Sequence, residues 1–369
     1  MKVLFVATVV KTHIMEFHIP YLKMLKEMGW ETAVAARNDY DDPVDCNIPY
    51  CDEYFDIPFE RNPFKPGNIR AYRLLKKVID EGGYDIIHCH TPVGAMLARL
   101  ASKKARKKGA KVIYTAHGFH FYNGAPKLNW IIYYPVEKWL ARMTDVLVTI
   151  TREDFKRAKK FKAGRVEYIP GIGVDLDRFK RGDPKKAETL KKELGIPDDV
   201  KVLLSVGEVN ANKNHQLVIR VLPDFPDARY VICGRGPLIE EHRKLSNELG
   251  ISDRVIMPGY RTDVVDFYGM ADIFVFPSFR EGLPVALMEA MSVGLVCVAS
   301  RNRGTDDLLE GSKLLFNPSD PDELKEKINV ALSSDCSDEV DRNSRHLTEF
   351  DLRHTLDLMK KIYLEAAGS

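Results

Sequence analysis

The sequence predicts an α/β protein with two doubly wound parallel-sheet domains, and three observations lead to this prediction. Short apolar runs of about four to eight residues alternate with longer amphipathic segments, as buried parallel strands alternate with covering helices. The chain of 369 residues exceeds the length at which a single hydrophobic core usually stops growing. A segment containing proline and glycine, 169–179, separates two such sets of elements near the middle of the chain.

The first half of the chain alternates in this way from its start. Strands are expected over 3–10, 32–36, 54–57, 85–89, 111–116 and 145–150, and helices over 15–28, 69–81, 93–108 and 127–142. Gly29 and the pair Gly82-Gly83 follow two of these helices. They mark helix ends, because glycine readily adopts the left-handed conformation in which many helices end. The connection over 10–15 contains no glycine, the residue that would let its backbone approach a ligand most closely.

The second half repeats the alternation after a charged helix over 184–194. Strands are expected over 202–206, 230–233, 255–257, 273–276, 295–299 and 314–316, and a last helix over 351–366 has apolar residues at helical spacing. The first domain is therefore expected over 1–172 and the second over 173–349, with a terminal helical segment over 350–369.

Composition and charge exclude several classes of protein. Hydrophobic residues make up 45% and charged residues 29%, which is typical of soluble globular chains, and no window is apolar enough to span a membrane. The apolar run at 3–10 is too short for a signal peptide and is better explained as a buried strand, so we expect a cytoplasmic protein. The six cysteines form no C-x-x-C pair, so we expect reduced thiols and no zinc site.

The charge is unevenly distributed along the chain. Net charge is +2, but residues 1–170 hold 28 Lys and Arg against 19 Asp and Glu, and most of the excess falls within 99–165. This basic surface is either a solvated helix face or a patch that contacts the anionic inner face of a membrane. Nucleic acid is not expected as a partner, because no aromatic-rich basic groove or binding motif accompanies the patch.

The segment 278–300 combines features of a nucleotide-sugar site. Glu281 lies in a predicted loop, and Glu289 lies about one and a half turns inside the helix that follows. Leu283 and Val285 mark the start of this helix, where free backbone N–H groups suit a diphosphate. Carboxylates accept hydrogen bonds from sugar hydroxyls, so the two Glu side chains suit rings on either side of that diphosphate. Two Glu residues at this spacing also occur by chance in ordinary helices.

The complete segment resembles the E-x7-E signature of the retaining GT-B glycosyltransferases of family 4. The resemblance rests on Phe276-Pro277-Ser278, Glu281-Gly282-Leu283-Pro284 and Glu289-Ala290-Met291. It implies the GT-B fold, with two Rossmann-like domains facing a cleft and a C-terminal helix that crosses back to the first domain. It also implies that Glu281 faces the donor sugar, that Glu289 holds the ribose diol, and that the donor is a co-substrate used without a metal or other cofactor.

Three further segments of the second domain belong to the implied donor site. After the strand that ends near Gly207, the family pattern is G-R-x-x-x-x-K; Lys213 matches the Lys, but Glu208 replaces the Arg. Arg235 stands in the next strand-end loop where many relatives have Asp, so we hypothesise that it supplies the charge missing at Glu208. Arg261, in the segment that the family places against the base, is expected near the nucleotide ring.

Histidines lie at the ends of two neighbouring strands of the first domain. His88 and His90 are at the end of one strand, and His117 and His120 are at the end of the next. A metal cluster is one interpretation, but no Asp or Glu lies at ligand spacing. The resemblance places His117 on the donor-sugar side, where its carbonyl or ring would stabilise positive charge at the anomeric carbon. His90, His120 and the His13 segment are expected on the acceptor side.

The function implied by the resemblance is transfer of a sugar from a nucleoside-diphosphate sugar to a hydroxyl of a saccharide acceptor, with retention of configuration. UDP is expected because it is frequent in the family, and a lipid-linked acceptor of exopolysaccharide or capsule assembly fits the basic first domain. A nucleotide-sugar epimerase and a non-catalytic nucleotide- or glycan-binding protein remain alternatives. A dinucleotide oxidoreductase is disfavoured, because the G-x-G matches at Gly171 and Gly234 lack the third glycine of the fingerprint.

Overall fold

The computed structural model describes residues 1–180 and 182–368, and these residues form two compact units. Unit 1 contains Met1–Ile172 together with the C-terminal helix from Arg353, and unit 2 contains Gly173–Leu352. Each unit is built on one parallel β-sheet, so the α/β class predicted from the sequence is confirmed.

Unit 1 contains a seven-stranded sheet in the order β3-β2-β1-β4-β5-β6-β7, with every neighbouring pair parallel. The strands are β1 (Lys2–Val9), β2 (Glu31–Arg37), β3 (Glu53–Asp56), β4 (Ile86–Cys89), β5 (Lys111–Ala116), β6 (Val146–Thr149) and β7 (Arg165–Tyr168). The helices are α1 (Met15–Phe17), α2 (Ile19–Glu27), α3 (Gly67–Gly82), α4 (Pro92–Ala101), α5 (Lys103–Lys107), α6 (Lys127–Leu140) and α7 (Arg152–Ala158). Strand order reverses between β1 and β4, which is the topological switch point of the sheet.

The connection after β1 differs from the prediction. Residues Val10–Ile14, expected as a loop, form a π-helical turn, and the helix predicted over 15–28 is broken at His18 into α1 and α2. Pro20 explains the break, because it lacks an N–H and is tolerated only in the first turn of a helix. The result is a compact turn that carries two histidines at the end of the first strand.

Two further differences lie in unit 1. The helix predicted over 93–108 is divided at Ser102, whose hydroxyl donates to the Ala98 carbonyl at 2.6 Å in competition with the helical backbone. Strand β7 and helix α7 were not predicted. All four residues of β7 are partly exposed, so the strand lacks the apolar run by which the others were recognised.

Unit 2 contains a six-stranded parallel sheet in the order β10-β9-β8-β11-β12-β13. The strands are β8 (Lys201–Val206), β9 (Ala228–Cys233), β10 (Val255–Gly259), β11 (Ile273–Phe276), β12 (Val296–Ser300) and β13 (Leu315–Phe316). The helices are α8 (Pro184–Glu193), α9 (His215–Val221), α10 (Ile239–Glu248), α11 (Val264–Met270), α12 (Val285–Val293), α13 (Arg303–Leu308), α14 (Pro321–Ser333) and α15 (Ser337–Leu347). Successive residues of β8 belong to two different hydrophobic clusters. Leu204 belongs to one cluster and Leu203 to the other, so both faces of the sheet are covered. The switch point lies between β8 and β11.

The last helix, α16 (Leu352–Ala367), begins at the edge of unit 2 and continues in unit 1. Val174 exchanges backbone hydrogen bonds with Phe350 and Leu352 at 2.9 Å each, which holds these residues in unit 2. Farther along, the Tyr363 hydroxyl lies 2.6 Å from His88 Nδ1, so the helix is fastened to the centre of the unit 1 sheet. None of the helices in the described part of the chain combines the length and apolarity needed to cross a bilayer.

Candidate active site

Each unit gathers polar side chains at the carboxyl ends of the strands beside its switch point. In open α/β sheets this crevice is where ligands bind, because the strand-end loops diverge there and leave space. We call this place the switch edge of the unit. In unit 1 it lies at the ends of β1 and β4, and in unit 2 at the ends of β8 and β11.

The switch edge of unit 2 contains a largely buried ion pair. Lys213 Nζ lies 2.9 Å from Glu281 Oε1, and the two side chains are only 19% and 14% exposed. The Lys213 ammonium also lies 4.9 Å from the centre of the Phe276 ring. The loops that carry the pair are joined by hydrogen bonds from Asn212 Nδ2 to the Arg280 carbonyl at 2.8 Å and from the Phe279 N–H to the Asn212 carbonyl at 2.8 Å. The hydrogen bonds between the two loops therefore hold Lys213 and Glu281 close to each other.

Glycines allow these loops to approach one another. A Cβ on Gly234 would lie 1.8 Å from the Gly207 carbonyl oxygen, and one on Gly304 would lie 1.8 Å from the Gly282 carbonyl oxygen. Neither position can accept a side chain unless the backbone moves. Gly207 itself has a φ of +152° and lies against the Lys213 side chain, so it shapes the place in which the ammonium group lies.

Helix α12 begins beside Glu281 and carries Glu289. Pro284 precedes its first residue, Val285, and no side chain caps the N-terminus. Its first backbone N–H groups are consequently available to an anion. Glu289 Oε2 accepts a hydrogen bond from the Tyr268 hydroxyl at 2.8 Å, which fixes the carboxylate one turn into the helix. Leu283 lies partly buried in the loop between the two glutamates.

The other sequence-predicted donor residues lie in the neighbouring strand-end loops. Backbone hydrogen bonds from Gly207 to Cys233 at 2.9 Å and from Val209 to Arg235 at 2.8 Å join the loops after β8 and β9. The Arg235 guanidinium lies 4.5 Å from the centre of the Tyr260 ring, and Glu208 is exposed. Arg261 is engaged by Asp263 through two hydrogen bonds at 2.9 and 2.5 Å.

The switch edge of unit 1 contains a cluster of histidines instead of an ion pair. His13 Nε2 lies 3.2 Å from His18 Nε2, and His90 Nδ1 lies 3.3 Å from His117 Nε2. The His18 and His90 rings stack with their centres 3.9 Å apart, and this contact joins the two pairs. Beneath them His88 bonds the Thr115 hydroxyl at 2.8 Å and the Tyr363 hydroxyl, which makes a rigid base.

Burial keeps these rings neutral. Removal from water lowers the pKa of His13 to about 3, that of His88 to about 3 and that of His117 to about 4. Burial also lowers the pKa values of His18 and His90 well below the ordinary value. The cluster therefore presents neutral imidazoles, the form in which histidine binds a metal ion or accepts a hydrogen bond from a sugar hydroxyl.

Sequence reasoning grouped the histidines differently. It placed His120 with His90 and His117, but the His120 ring stacks on Tyr133 with the ring centres 4.6 Å apart, and His120 shares with His13 of the cluster the wall of a neighbouring pocket. It also missed His18, which joins the cluster from the break between α1 and α2. His13 lies in the π-helical turn Val10–Ile14, and the five-residue spacing from His13 to His18 matches the i to i+5 repeat of a π-helix, so that spacing is the signal that could have identified the pair.

A pocket of about 460 Å³ in unit 1 opens beside the cluster. His13 and His120 contribute to its wall, and most of the remaining lining is apolar, including Phe64, Ile132 and Val136. Helix α6 forms one side of the pocket and is fixed by Glu137, whose carboxylate receives two hydrogen bonds from the buried Arg99 guanidinium at 2.8 and 3.1 Å.

The outer face of α6 is unusually apolar for a surface helix. Leu128, Ile131 and Trp139 are 61%, 71% and 50% exposed, and they recur at helical spacing. Trp139 also lines a depression with basic residues of α5 and β5, namely Lys103, Lys107 and Lys111. The basic segment seen in the sequence is therefore exposed and lies next to an apolar helix face. We call this combination the α6 surface.

Two parallel α/β units, one with a Lys–Glu pair at the start of an uncapped helix, define a glycosyltransferase of the GT-B class, and the comparisons with known proteins agree. The profile described as Glycosyltransferase Family 4 matches residues 21–178, and that described as Glycosyl transferases group 1 matches residues 186–346. EpsD of Bacillus subtilis (strain 168) is 44% identical over 314 residues, which cover 84% of this chain and 81% of EpsD. The chain belongs to the glycosyltransferases of family 4.

A second relative and a solved structure extend this result. The UDP-Gal:alpha-D-GlcNAc-diphosphoundecaprenol alpha-1,3-galactosyltransferase of Escherichia coli is 28% identical over 318 residues, covering 80% of this chain and 78% of that enzyme. The structure of HepE from Anabaena, solved in complex with UDP and glucose, superposes with a TM-score of 0.80 at 19% identity, and the match covers 99% of this chain and all of that one. The GT-B fold expected from the sequence is confirmed.

Proposed function

We propose that this protein is a retaining glycosyltransferase that transfers a sugar from a UDP-sugar to a hydroxyl of a saccharide carried on a lipid diphosphate, in exopolysaccharide or capsule assembly. The observation that carries the proposal is the ion pair of Lys213 and Glu281 beside the uncapped start of α12. A buried cation and free N–H groups suit a diphosphate, and carboxylates on either side suit hydroxylated rings.

In this proposal the donor lies along the switch edge of unit 2. The N–H groups at Val285 and the Lys213 ammonium neutralise the diphosphate as negative charge accumulates on the leaving group. Glu281 accepts hydrogen bonds from hydroxyls of the donor sugar, and Glu289 accepts them from the ribose diol. Arg235, on its Tyr260 platform, adds positive charge where the family pattern has lost it at Glu208.

The proposed transfer step needs no general base from the protein. The bond between the anomeric carbon and the phosphate oxygen breaks, the acceptor oxygen bonds the same face of that carbon, and the acceptor proton passes to the departing phosphate oxygen. We propose that His117 stabilises the positive charge that develops at the anomeric carbon, through its carbonyl or its neutral ring. No metal ion is needed for this step, since Lys213 and α12 supply the charge.

The expectation of a UDP donor gains support from the relatives. HepE binds UDP and glucose in its solved complex, and the Escherichia coli relative is named for UDP-Gal. The latter also acts on a saccharide linked to diphosphoundecaprenol, as its name states. These names support a UDP donor and a lipid-linked acceptor.

The unit 1 pocket suits the acceptor side of such a reaction. It combines two histidine side chains, His13 and His120, with apolar residues such as Phe64 and Val136. A saccharide hydroxyl would be oriented by the histidines, with His90 near them, and the start of an isoprenoid chain would contact the apolar residues. The α6 surface would then rest on the membrane that holds the lipid.

Charge and apolarity both favour an anionic membrane as the partner of the α6 surface. Exposed Trp and aliphatic residues enter the headgroup region, and each Lys near the surface contributes about 1 kcal/mol of attraction to anionic lipid. Vesicles containing phosphatidylglycerol should sediment the wild-type protein, and Ile131→Asp or Lys103→Glu/Lys107→Glu should weaken this binding by about tenfold or more. Lys185→Glu/Lys186→Glu on α8 of unit 2 is the matched control. Equal binding by all variants would contradict a membrane role for the α6 surface.

Product analysis tests the proposed reaction directly. The protein is incubated with short polyprenyl-diphosphate saccharides and a panel of UDP-sugars, and the product is examined by mass spectrometry and NMR. We expect one UDP-sugar to be consumed and the new linkage to keep the anomeric configuration of the donor. An inverted linkage would contradict retention, and transfer only from GDP- or ADP-sugars would contradict the UDP assignment. Transfer to free saccharides alone would exclude the lipid-linked acceptor.

A further inference from the structure

The histidine cluster of unit 1 has the composition and geometry of a metal site. His13, His18, His90 and His117 each present a ring nitrogen, and these four nitrogens all lie within 4.8 Å of one another. Two contacts between rings of the cluster, His13 Nε2 to His18 Nε2 and His90 Nδ1 to His117 Nε2, are 3.2 and 3.3 Å long. With zinc–nitrogen bonds of about 2.0–2.1 Å, adjacent ligands of a tetrahedral ion lie about 3.3–3.4 Å apart.

Hydrogen bonding among the rings does not satisfy the cluster. Within the described part of the chain, His18 Nδ1 and His90 Nε2 are buried and have no hydrogen-bond partner. These are the second nitrogens of two rings whose other nitrogens lie in the contacts with His13 and His117, and unsatisfied buried polar atoms of this kind are rare and commonly indicate a ligand or ion. Each contact between two imidazoles uses a proton on one ring and a lone pair on the other. A bound cation would instead accept a lone pair from each of the four rings.

The surrounding structure would hold the ligands in place. His90 and His117 follow adjacent strands of the sheet, and His88 beneath them is fixed by Thr115 and Tyr363. His13 and His18 come from the π-helical turn and the helix break that follow β1. A bound ion would therefore connect this turn to the centre of the sheet. His13 also lines the unit 1 pocket, which offers the ion a path from solvent.

We infer that His13, His18, His90 and His117 bind one divalent transition-metal ion, with Zn²⁺ as the first expectation. Imidazole ligands suit zinc, copper and nickel, whereas magnesium, calcium and manganese prefer carboxylate and carbonyl oxygens. This inference departs from the expectation of no metal, which rested on the family resemblance and on the lack of an Asp or Glu at ligand spacing, and which did not consider His18. The inference shares His117 with the proposed transfer step, and a metal-bound His117 ring would leave only the His117 carbonyl to face the anomeric carbon. Binding of the ion is measured without a donor or an acceptor, so either proposal can fail without the other.

Binding of Zn²⁺ alone to untagged protein tests the inference. After metal removal, titration calorimetry and elemental analysis of dialysed samples should show one equivalent of Zn²⁺ bound. His18→Ala and His90→Gln should each weaken binding by at least about 100-fold, since loss of even an outer-shell partner costs about 10–100-fold. His354→Ala, which removes an exposed histidine of the same unit, is the matched control and should bind as the wild type does.

A second measurement uses only the wild-type protein, in case the buried variants fail to fold. Co²⁺ in a tetrahedral nitrogen site gives intense visible absorption, whereas hydrated octahedral Co²⁺ is pale. The wild-type protein with one equivalent of Co²⁺ should show the intense bands, and Zn²⁺ should abolish them by displacement. A pale Co²⁺ spectrum, no stoichiometric Zn²⁺, or equal binding by folded cluster variants would overturn the inference.

Discussion

The two switch edges occupy the same topological place but carry opposite chemistry. In unit 2 the strand ends hold a charged pair, Lys213 and Glu281, and the start of a helix with free N–H groups. In unit 1 they hold five neutral imidazoles and a set of hydroxyl groups. The fold therefore fixes where a ligand binds, and the side chains decide which ligand it is. A diphosphate suits the charged edge, and a neutral sugar or a metal ion suits the imidazole edge.

The ion pairs of the two units also differ in burial and in the number of hydrogen bonds. Arg99 and Glu137 in unit 1 are 1% and 13% exposed and form two parallel hydrogen bonds that fix α6. Lys213 and Glu281 in unit 2 form a single bond at the edge where a ligand would bind. The first pair has the geometry of a structural fastening. The second is a single contact at the switch edge of unit 2, where we propose that the donor binds.

The largest effect on stability is therefore expected at Arg99. Arg99→Met leaves the Glu137 carboxylate buried without its partner, and this should cost unit 1 about 3–5 kcal/mol. All three tryptophans of the chain lie in unit 1, so tryptophan fluorescence during urea unfolding reports that unit alone. Lys213→Met should leave this transition unchanged. A loss below about 1 kcal/mol at Arg99 would show that the contrast between the two pairs is wrong.

The largest effect on activity is expected at Glu281. Glu281→Gln keeps the shape of the side chain but removes the charge that faces Lys213 and, as we propose, the donor sugar, so kcat should fall by about 100- to 1000-fold. The Kd for UDP should stay within about threefold, because the ammonium group of Lys213 remains available to the diphosphate. Glu240→Gln on the exposed face of α10 serves as the control. Unchanged turnover in Glu281→Gln would remove Glu281 from the reaction.

A smaller effect concerns acid, and it involves a buried histidine of unit 2. Burial, with His242 and Lys213 nearby, lowers the pKa of His215 to about 3, whereas the unfolded chain takes up that proton near 6.5. The stability that the low pKa of His215 gives the folded protein is complete above pH 6.5. It is lost as the pH falls from 6.5 towards 3, at about 1.4 kcal/mol per pH unit. Between pH 7 and pH 5, His215→Leu should lose about 2 kcal/mol less stability than the wild type.

Far-UV circular dichroism during thermal unfolding at several pH values provides this measurement. His354→Leu should follow the wild-type pH dependence, because His354 is exposed. If His215→Leu has the same pH dependence as the wild type, then His215 is already protonated in the folded protein.

The smallest predicted effect is at Glu208. Glu208→Arg restores the charge of the family pattern on an exposed loop, so UDP binding should tighten by only about 0.3–1 kcal/mol. Arg235→Ala should weaken UDP binding if Arg235 has taken over the role of that position. Weaker binding in Glu208→Arg, or no change in Arg235→Ala, would contradict the charge exchange.

The sequence predicted unit 2 more completely than unit 1. Regular apolar strands and an α12 flanked by Pro284 and Gly294 placed Glu281 and Glu289 in the correct elements, and the loop carrying Lys213 followed from the end of β8. The ion pair between Lys213 and Glu281 was not predicted, because it joins residues 68 positions apart whose approach depends on glycine contacts between loops.

In unit 1 the prediction failed where local backbone geometry departs from regular helices. The π-helical turn after β1 and the break at His18 brought His13 and His18 together, and regular helical periodicity gives no sign of either. His120 follows the same strand as His117 but stacks on Tyr133, because position after a strand does not determine where a ring points. The pocket and the α6 surface depend on tertiary packing, which a single sequence does not reveal.

We propose that unit 2 binds a nucleoside diphosphate and that Glu289 contacts its ribose. The dependence of thermal stability on added ligand measures this binding. UDP, GDP, ADP and NAD are compared on the wild type and on Glu289→Ala. At about 100 times its Kd a true ligand stabilises the wild type by about 2.7 kcal/mol. We predict that UDP does so and that Glu289→Ala loses most of the effect. Stabilisation by NAD alone, or undiminished stabilisation of Glu289→Ala by UDP, would contradict the claim.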